Sequence, residues 1–157
     1  MKPNLGLSDK QREAVLDILD ATLADEFLLY TKTRNFHWNV TGSDFSELHK
    51  FFEAQYEALD ETMDETAERA RSLGGIALGS MEDFLKHARL KEAPAKALAA
   101  EKMLASLLAD HEALTRSLRK DVDACTDQHR DAGTADFLTG LMERHEKMAW
   151  MLRSYLQ

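Results

Sequence analysis

The chain has 157 residues and a formal net charge of -8, a length that suits one domain spanning 1–157, with residues 1–8 as a short N-terminal tail. Such a chain can bury a core without disulfides or structural metal, and its acidic balance argues against a protein built mainly to grip phosphate backbones. With 44% hydrophobic and 31% charged residues but only two prolines and seven glycines, the composition favours helices, and the expected class is all-α.

Ser8 followed three residues later by Gln11 is a capping-box pattern, and Val15, Leu19, Leu23, Phe27 and Tyr30 then recur at helical spacing, which predicts a first helix from about Asp9 to His37. Residues 39–43, NVTGS, are turn chemistry. Asp44 with Glu47 can cap a second helix that runs to about Leu73, where Gly74 and Gly75 stop it. Residues 73–93 form the longest connection, with Ser80 placed to cap a short helix through MEDFLKHARL. Pro94 suits the first turn of a third long helix, whose apolar row includes Leu98, Leu104, Leu107, Leu114 and Leu118 and extends to about Cys125. DQHRDAGT reads as a turn, and Thr134 opens the last helix through Leu138, Leu141, Met148 and Tyr155. Two hairpins of long helices joined by one crossover describe a ferritin-like four-helix bundle with a short extra helix in the crossover. Cys125 is the only cysteine, so no intrachain disulfide can form. No apolar run is long enough for a membrane span and no signal-like segment opens the chain, so a cytoplasmic location without membrane association is expected.

The second helix carries a polar stripe. At about 100° per residue, His49, Glu53, Asp60, Asp64 and Glu68 fall within about 100° of one another, flanking the apolar stripe of Leu48, Phe52, Tyr56, Leu59 and Met63. No histidine has a glutamate three residues before it, so a di-iron centre built from Glu-x-x-His pairs inside one bundle is not expected. From His49 to Glu68 a helix rises about 28 Å, far too much for both to hold one ion. The two pairs His49/Glu68 and Glu53/Asp64 are nevertheless symmetric about one helix midpoint. An antiparallel two-fold pairing would therefore bring them together in two equivalent sites. His37 joins the His49 end if the short turn folds the first two helices antiparallel. Imidazoles with carboxylates suit Fe(II), Mn(II) or Zn(II), although the same stripe also describes a solvated acidic face.

These residues resemble a known family. His37-Trp38-Asn39, Gly42, Phe45, His49, Glu53, Asp64 and the run AERARSLGGIALGS are similar to the Dps proteins, small ferritins named for DNA binding in starved cells, and the similarity extends to the closing HEKMAWMLRSYL. The resemblance implies a homododecamer built from two-fold dimers that oxidises Fe(II), preferentially with hydrogen peroxide, and stores Fe(III) as mineral against oxidative damage. It implies that His37, His49 and Glu53 come from one subunit and Asp64 and Glu68 from its partner. Many members have aspartate where this chain has Glu53. Asp136 occupies the place of an acidic pore residue on a three-fold axis, whereas Asp127 and Asp131 read as turn formers or caps. Trp38 reads either as a quencher of stray radicals or as an aromatic wedge at the dimer interface.

DNA binding is the competing function that the family name invites. Only Lys2, Lys10 and Arg12 precede the body of the first helix, which is little positive charge for a DNA-gripping tail. A cage that has lost its iron centre is the third reading. His111 and His145 read as helix-packing histidines, His129 as a surface turn residue, and Arg69 as either a carboxylate-orienting group or a surface ion pair.

Overall fold

The computed structural model describes residues 3–157; Lys2 lies outside them. Among the described residues there are five α-helices and no strand: α1 (Asp9–Asn39), α2 (Phe45–Ser72), α3 (Met81–His87), α4 (Ala100–Asp123) and α5 (Ala132–Ser154), with a π-helical segment, Ala124–His129, between α4 and α5. This is the expected all-α bundle with a short helix in its crossover.

Local chemistry explains most of the boundaries. The Ser8 hydroxyl accepts from Gln11 N at 3.3 Å and the Gln11 side chain accepts from Ser8 N at 3.0 Å, closing the capping box. Ser80 caps α3 by accepting from Asp83 N at 3.2 Å. At the end of α2, Gly74 takes φ 82°, and Gly75 N donates back to Ala70 O at 3.0 Å, a helix stop that needs left-handed backbone. Pro3 packs directly against Gly74, and Arg12 donates to Leu73 O at 3.4 Å, so the N-terminal segment lies against the end of α2.

Three boundaries differ from the sequence expectation. Asp44 stands at the N-cap of α2 but makes no side-chain cap bond, because its backbone is not in the extended geometry that aims the carboxylate at the helix amides. Glu47 accepts from the Tyr155 hydroxyl at 3.0 Å instead. Pro94 does not open a helix: its carbonyl accepts from Lys96 N at 2.7 Å in a tight bend, and α4 starts six residues later behind Ala99, without a side-chain cap. DQHRDAGT is not a simple turn either. Its first half continues α4 as the π-helical segment, Arg130 turns the chain at φ 55°, and Asp131 caps α5 by accepting from Thr134 N at 3.0 Å. The last helix therefore opens at Ala132, with Thr134 inside its first turn.

α1 packs along α2 and α4 along α5, and the two hairpins close on a core that includes Leu19, Phe36, Phe52, Leu59, Leu114 and Leu138. Phe84 of α3 enters a second apolar cluster, stacked on Phe27 with ring centroids 4.1 Å apart. The crossover is pinned just beyond α3. Asp25, 1% exposed, accepts from Arg89 N at 2.6 Å, Leu90 N at 2.9 Å and Arg89 Nε at 2.7 Å. Arg89 also reaches Asp121 of α4 at 2.8 Å, so one side chain joins α1, the crossover and α4. Cys125 is fully buried and its thiol is pushed up to about 11, by burial first and then by the charge of Asp131, as suits a small core residue.

Removing Asp25 strands two part-buried amides and a part-buried guanidinium. Asp25→Ala is therefore expected to destabilise the fold by about 3 kcal/mol, read from the shift in denaturant midpoint at fixed protein concentration.

Candidate metal centre

The five-residue connection between α1 and α2 brings His37 and His49 face to face. Their rings stack with centroids 3.7 Å apart and planes inclined by 21°. His37 Nδ1 lies 2.7 Å from the His49 carbonyl oxygen, and His49 Nδ1 lies 2.9 Å from that of His37. A carbonyl oxygen can only accept, so each Nδ1 carries the proton and donates. The neutral form of each ring is thus fixed in the same tautomer, in which Nε2 carries the lone pair. This is how ligating histidines are usually held, the far nitrogen anchored and the near one left for a cation. His37 is buried and His49 half-buried.

Glu53 follows His49 by one helical turn on the same face of α2. Its Oε1 accepts from the Tyr56 hydroxyl at 3.3 Å. The Tyr56 phenol is raised from its ordinary value, by burial first and next by the charge of Glu53. Tyr56 also sets its ring edge-on to His37 at 5.2 Å and to Tyr30 at 6.0 Å. Arg34 places its guanidinium 4.8 Å from the Tyr56 ring centre and 5.6 Å from those of Tyr30 and Trp38, and bonds the Tyr30 hydroxyl. Trp38 itself is 65% exposed. By spacing Tyr56 falls in the apolar stripe of α2, and the sequence assigns no role to Arg34. The signal available was spacing: 30, 34 and 38 share one face of α1, and 49, 53 and 56 one face of α2.

Asp64 and Glu68 lie further along α2, both exposed, and among the described residues neither side chain has a hydrogen-bond or ion-pair partner. The structure thus gathers His37, His49 and Glu53 at one end of α2 and leaves Asp64 and Glu68 at the other. Among the described residues of one subunit, no three His, Cys, Asp or Glu side chains converge to hold a metal ion. Asp136 is exposed and lines an open groove between α2 and α5 with Glu65, Glu68, Arg69 and Arg144. Arg69 is committed to structure: it donates to Thr134 Oγ1 at 2.9 Å and to Asp131 at 3.2 Å, tying α2 to the cap of α5.

The middle of the bundle holds polar groups, among them His111 and His145, which the sequence marks as helix-packing residues. Glu26 Oε1 lies 2.7 Å from His145 Nε2, His145 Nδ1 lies 2.9 Å from His111 Nδ1, and Thr62 donates to Glu26 Oε2 at 3.3 Å. Glu26, His111 and His145 are fully buried. His111 and His145 are indeed packed between helices, but as a hydrogen-bonded chain to a carboxylate rather than as apolar filler. Because the chain runs through opposite nitrogens of His145, its members do not face one point, and no intrabundle metal site results. Among the described residues His111 Nε2 has no hydrogen-bond partner. Burial, and secondarily His145, holds His111 well below the ordinary histidine range.

Comparison with known proteins agrees with this architecture. Residues 16–157 match the model of the ferritin-like domain. The chain is 51% identical to a low temperature-induced protein of Nostoc sp. over 98% of this chain and 86% of that protein. It is 36% identical to DNA protection during starvation protein 2 of Bacillus anthracis over 90% and 96% of the two chains. The solved structure of a Vibrio cholerae Dps protein, described as a member of a broad superfamily of ferritin-like diiron-carboxylate proteins, superposes with a TM-score of 0.92 at 30% identity, covering 100% of this chain and 98% of that one. The chain belongs to the ferritin-like proteins and, within them, to the Dps family.

The buried histidine chain gives a pH dependence. Unfolded, His111 takes up a proton near its ordinary value of 6.5; folded, it refuses that proton. Its contribution to stability is present above 6.5 and lost as pH falls below it, at up to about 1.4 kcal/mol per pH unit. Denaturant midpoints between pH 7.5 and 5 are expected to fall with pH in the wild type and to flatten in His111→Leu.

Proposed function

We propose that the chain is one subunit of an iron-sequestering ferroxidase cage. It oxidises Fe(II), preferentially with hydrogen peroxide, and stores the Fe(III) as mineral, limiting oxidative damage. The observation that carries this reading is the reciprocal anchoring of His37 and His49 through Nδ1, which leaves both Nε2 atoms free of the backbone, one helical turn from Glu53. Donors of this kind suit divalent iron as substrate. Because one subunit supplies too few ligands, the reading assigns Asp64 and Glu68 of a two-fold partner to the same ion. It takes the whole of residues 1–157 as one domain in a cytoplasmic homododecamer.

The chemistry balances as two Fe(II), one hydrogen peroxide and two protons giving two Fe(III) and two water molecules. Taking both electrons for each peroxide from two iron ions avoids releasing a hydroxyl radical. Few protein ligands leave positions open for peroxide and hold the product loosely enough to let it pass inward. Asp136, exposed near the start of α5, is proposed to line an acidic pore on a three-fold axis of the cage, where its repetition in three subunits would raise local Fe(II). The family name also invites DNA binding, but the tie of Arg12 to Leu73 and the net charge of -8 favour the iron reading. A gel shift at low salt is expected to show no band that fades with added salt.

The test of intersubunit sites is complementation. His37→Ala with His49→Ala, and separately Asp64→Ala with Glu68→Ala, are each expected to slow peroxide-dependent Fe(II) oxidation by more than about 100-fold. Co-assembled, the two variants recover about a quarter of the wild-type rate, because half the dimers are mixed and each mixed dimer regains one of its two sites. An unchanged rate in the assembled histidine variant removes the proposed ligands, and failure to recover on co-assembly removes the shared site.

A further inference from the structure

Glu53 is the proposed ligand that stands where many Dps proteins have a shorter side chain. A glutamate has one more methylene than the aspartate common at this position, so its carboxylate can swing away from the imidazoles, and fixing it costs side-chain entropy. The structure shows what restrains it. Tyr56, three residues on, donates its hydroxyl to Glu53 Oε1 at 3.3 Å, which leaves Oε2 for a cation. Tyr56 is itself held on three sides: edge-on against His37, edge-on against Tyr30, and under the Arg34 guanidinium.

We infer that Tyr56 is a positioning residue that tethers Glu53 through Oε1, so that the glutamate binds the ion with one oxygen from a fixed direction, and that Arg34 holds Tyr56 in place. This rests on the reading of His37, His49 and Glu53 as iron ligands. The alternative role for a tyrosine at such a site, giving up an electron, is opposed by the same geometry. A guanidinium over Tyr30, Trp38 and Tyr56 makes removal of an electron from any of these rings harder. The bond is long for O–H···O, so it limits the direction of Glu53 more than it adds stability.

Tyr56→Phe keeps the ring and the Arg34 contact and removes only the hydroxyl. Binding of Co(II), a stand-in for Fe(II) that is not consumed, is expected to weaken about 10-fold in Tyr56→Phe. Half-saturating Fe(II) for oxidation rises in parallel, with the rate at saturation little changed. In a Glu53→Asp background the shorter carboxylate does not reach the phenol, so adding Tyr56→Phe has no further effect on Co(II) affinity; a purely structural role would carry its cost into both backgrounds. Unchanged Co(II) affinity in Tyr56→Phe, or equal losses in the two backgrounds, overturns the tether alone. Wild-type Co(II) binding that does not depend on His37 and His49 overturns the tether together with the ligand assignment beneath it.

Discussion

Two hydrogen bonds at the α1–α2 connection set the chemistry of this chain. Each of His37 and His49 gives its Nδ1 proton to the backbone carbonyl of the other, so neither ring can rotate or change tautomer without breaking a partly buried bond. The short connection makes this possible by folding α2 straight back along α1, and the apolar residues on either side, Phe36, Val40, Leu48 and Phe52, hold the register. Two backbone segments and two rings thus form one unit at the turn of the hairpin. Everything proposed for iron depends on the pair of lone pairs that this unit presents.

A second theme is the placing of charge where an apolar bundle would ordinarily have none. Asp25, Glu26 and Lys32 on α1 are all buried, and each is answered from a different element: Arg89 and two amides of the crossover, His145 of α5, and Asp110 of α4 at 2.6 Å. Burial raises Asp110, while the ammonium of Lys32 opposes the rise. Such pairs add little net stability compared with a well-packed apolar core, but removing one partner is expensive, so they specify which elements meet α1 and where. The crossover gains most from this, since outside α3 it has little regular structure of its own.

The legible part of the fold was the local part. Ser8 with Gln11, Ser80 with Asp83, and Gly74 with Gly75 act within five residues of themselves; the first two open a helix and the third ends one, as their chemistry requires. Asp44 and Pro94 carry equally good local signals, yet tertiary backbone geometry overrode both. The buried charges were beyond reach because their partners are remote: Asp25 meets Arg89 across 64 residues and Glu26 meets His145 across 119. For the site, the imidazole pair was legible from a twelve-residue spacing around a turn. The tautomers, the Tyr56 bond to Glu53 and the Arg34 clamp were not, because they depend on side-chain directions across two helices.

The distance along α2 has one more consequence. His49 and Glu68 stand about 28 Å apart on a single stiff rod, and no bending of that rod can join them. On the proposed reading, a newly synthesised polypeptide has only fragments of a reactive centre, and meeting iron and peroxide while still alone, it has no means to run the reaction. Competence arrives with quaternary closure, when the surrounding shell that will confine the mineral is already being built.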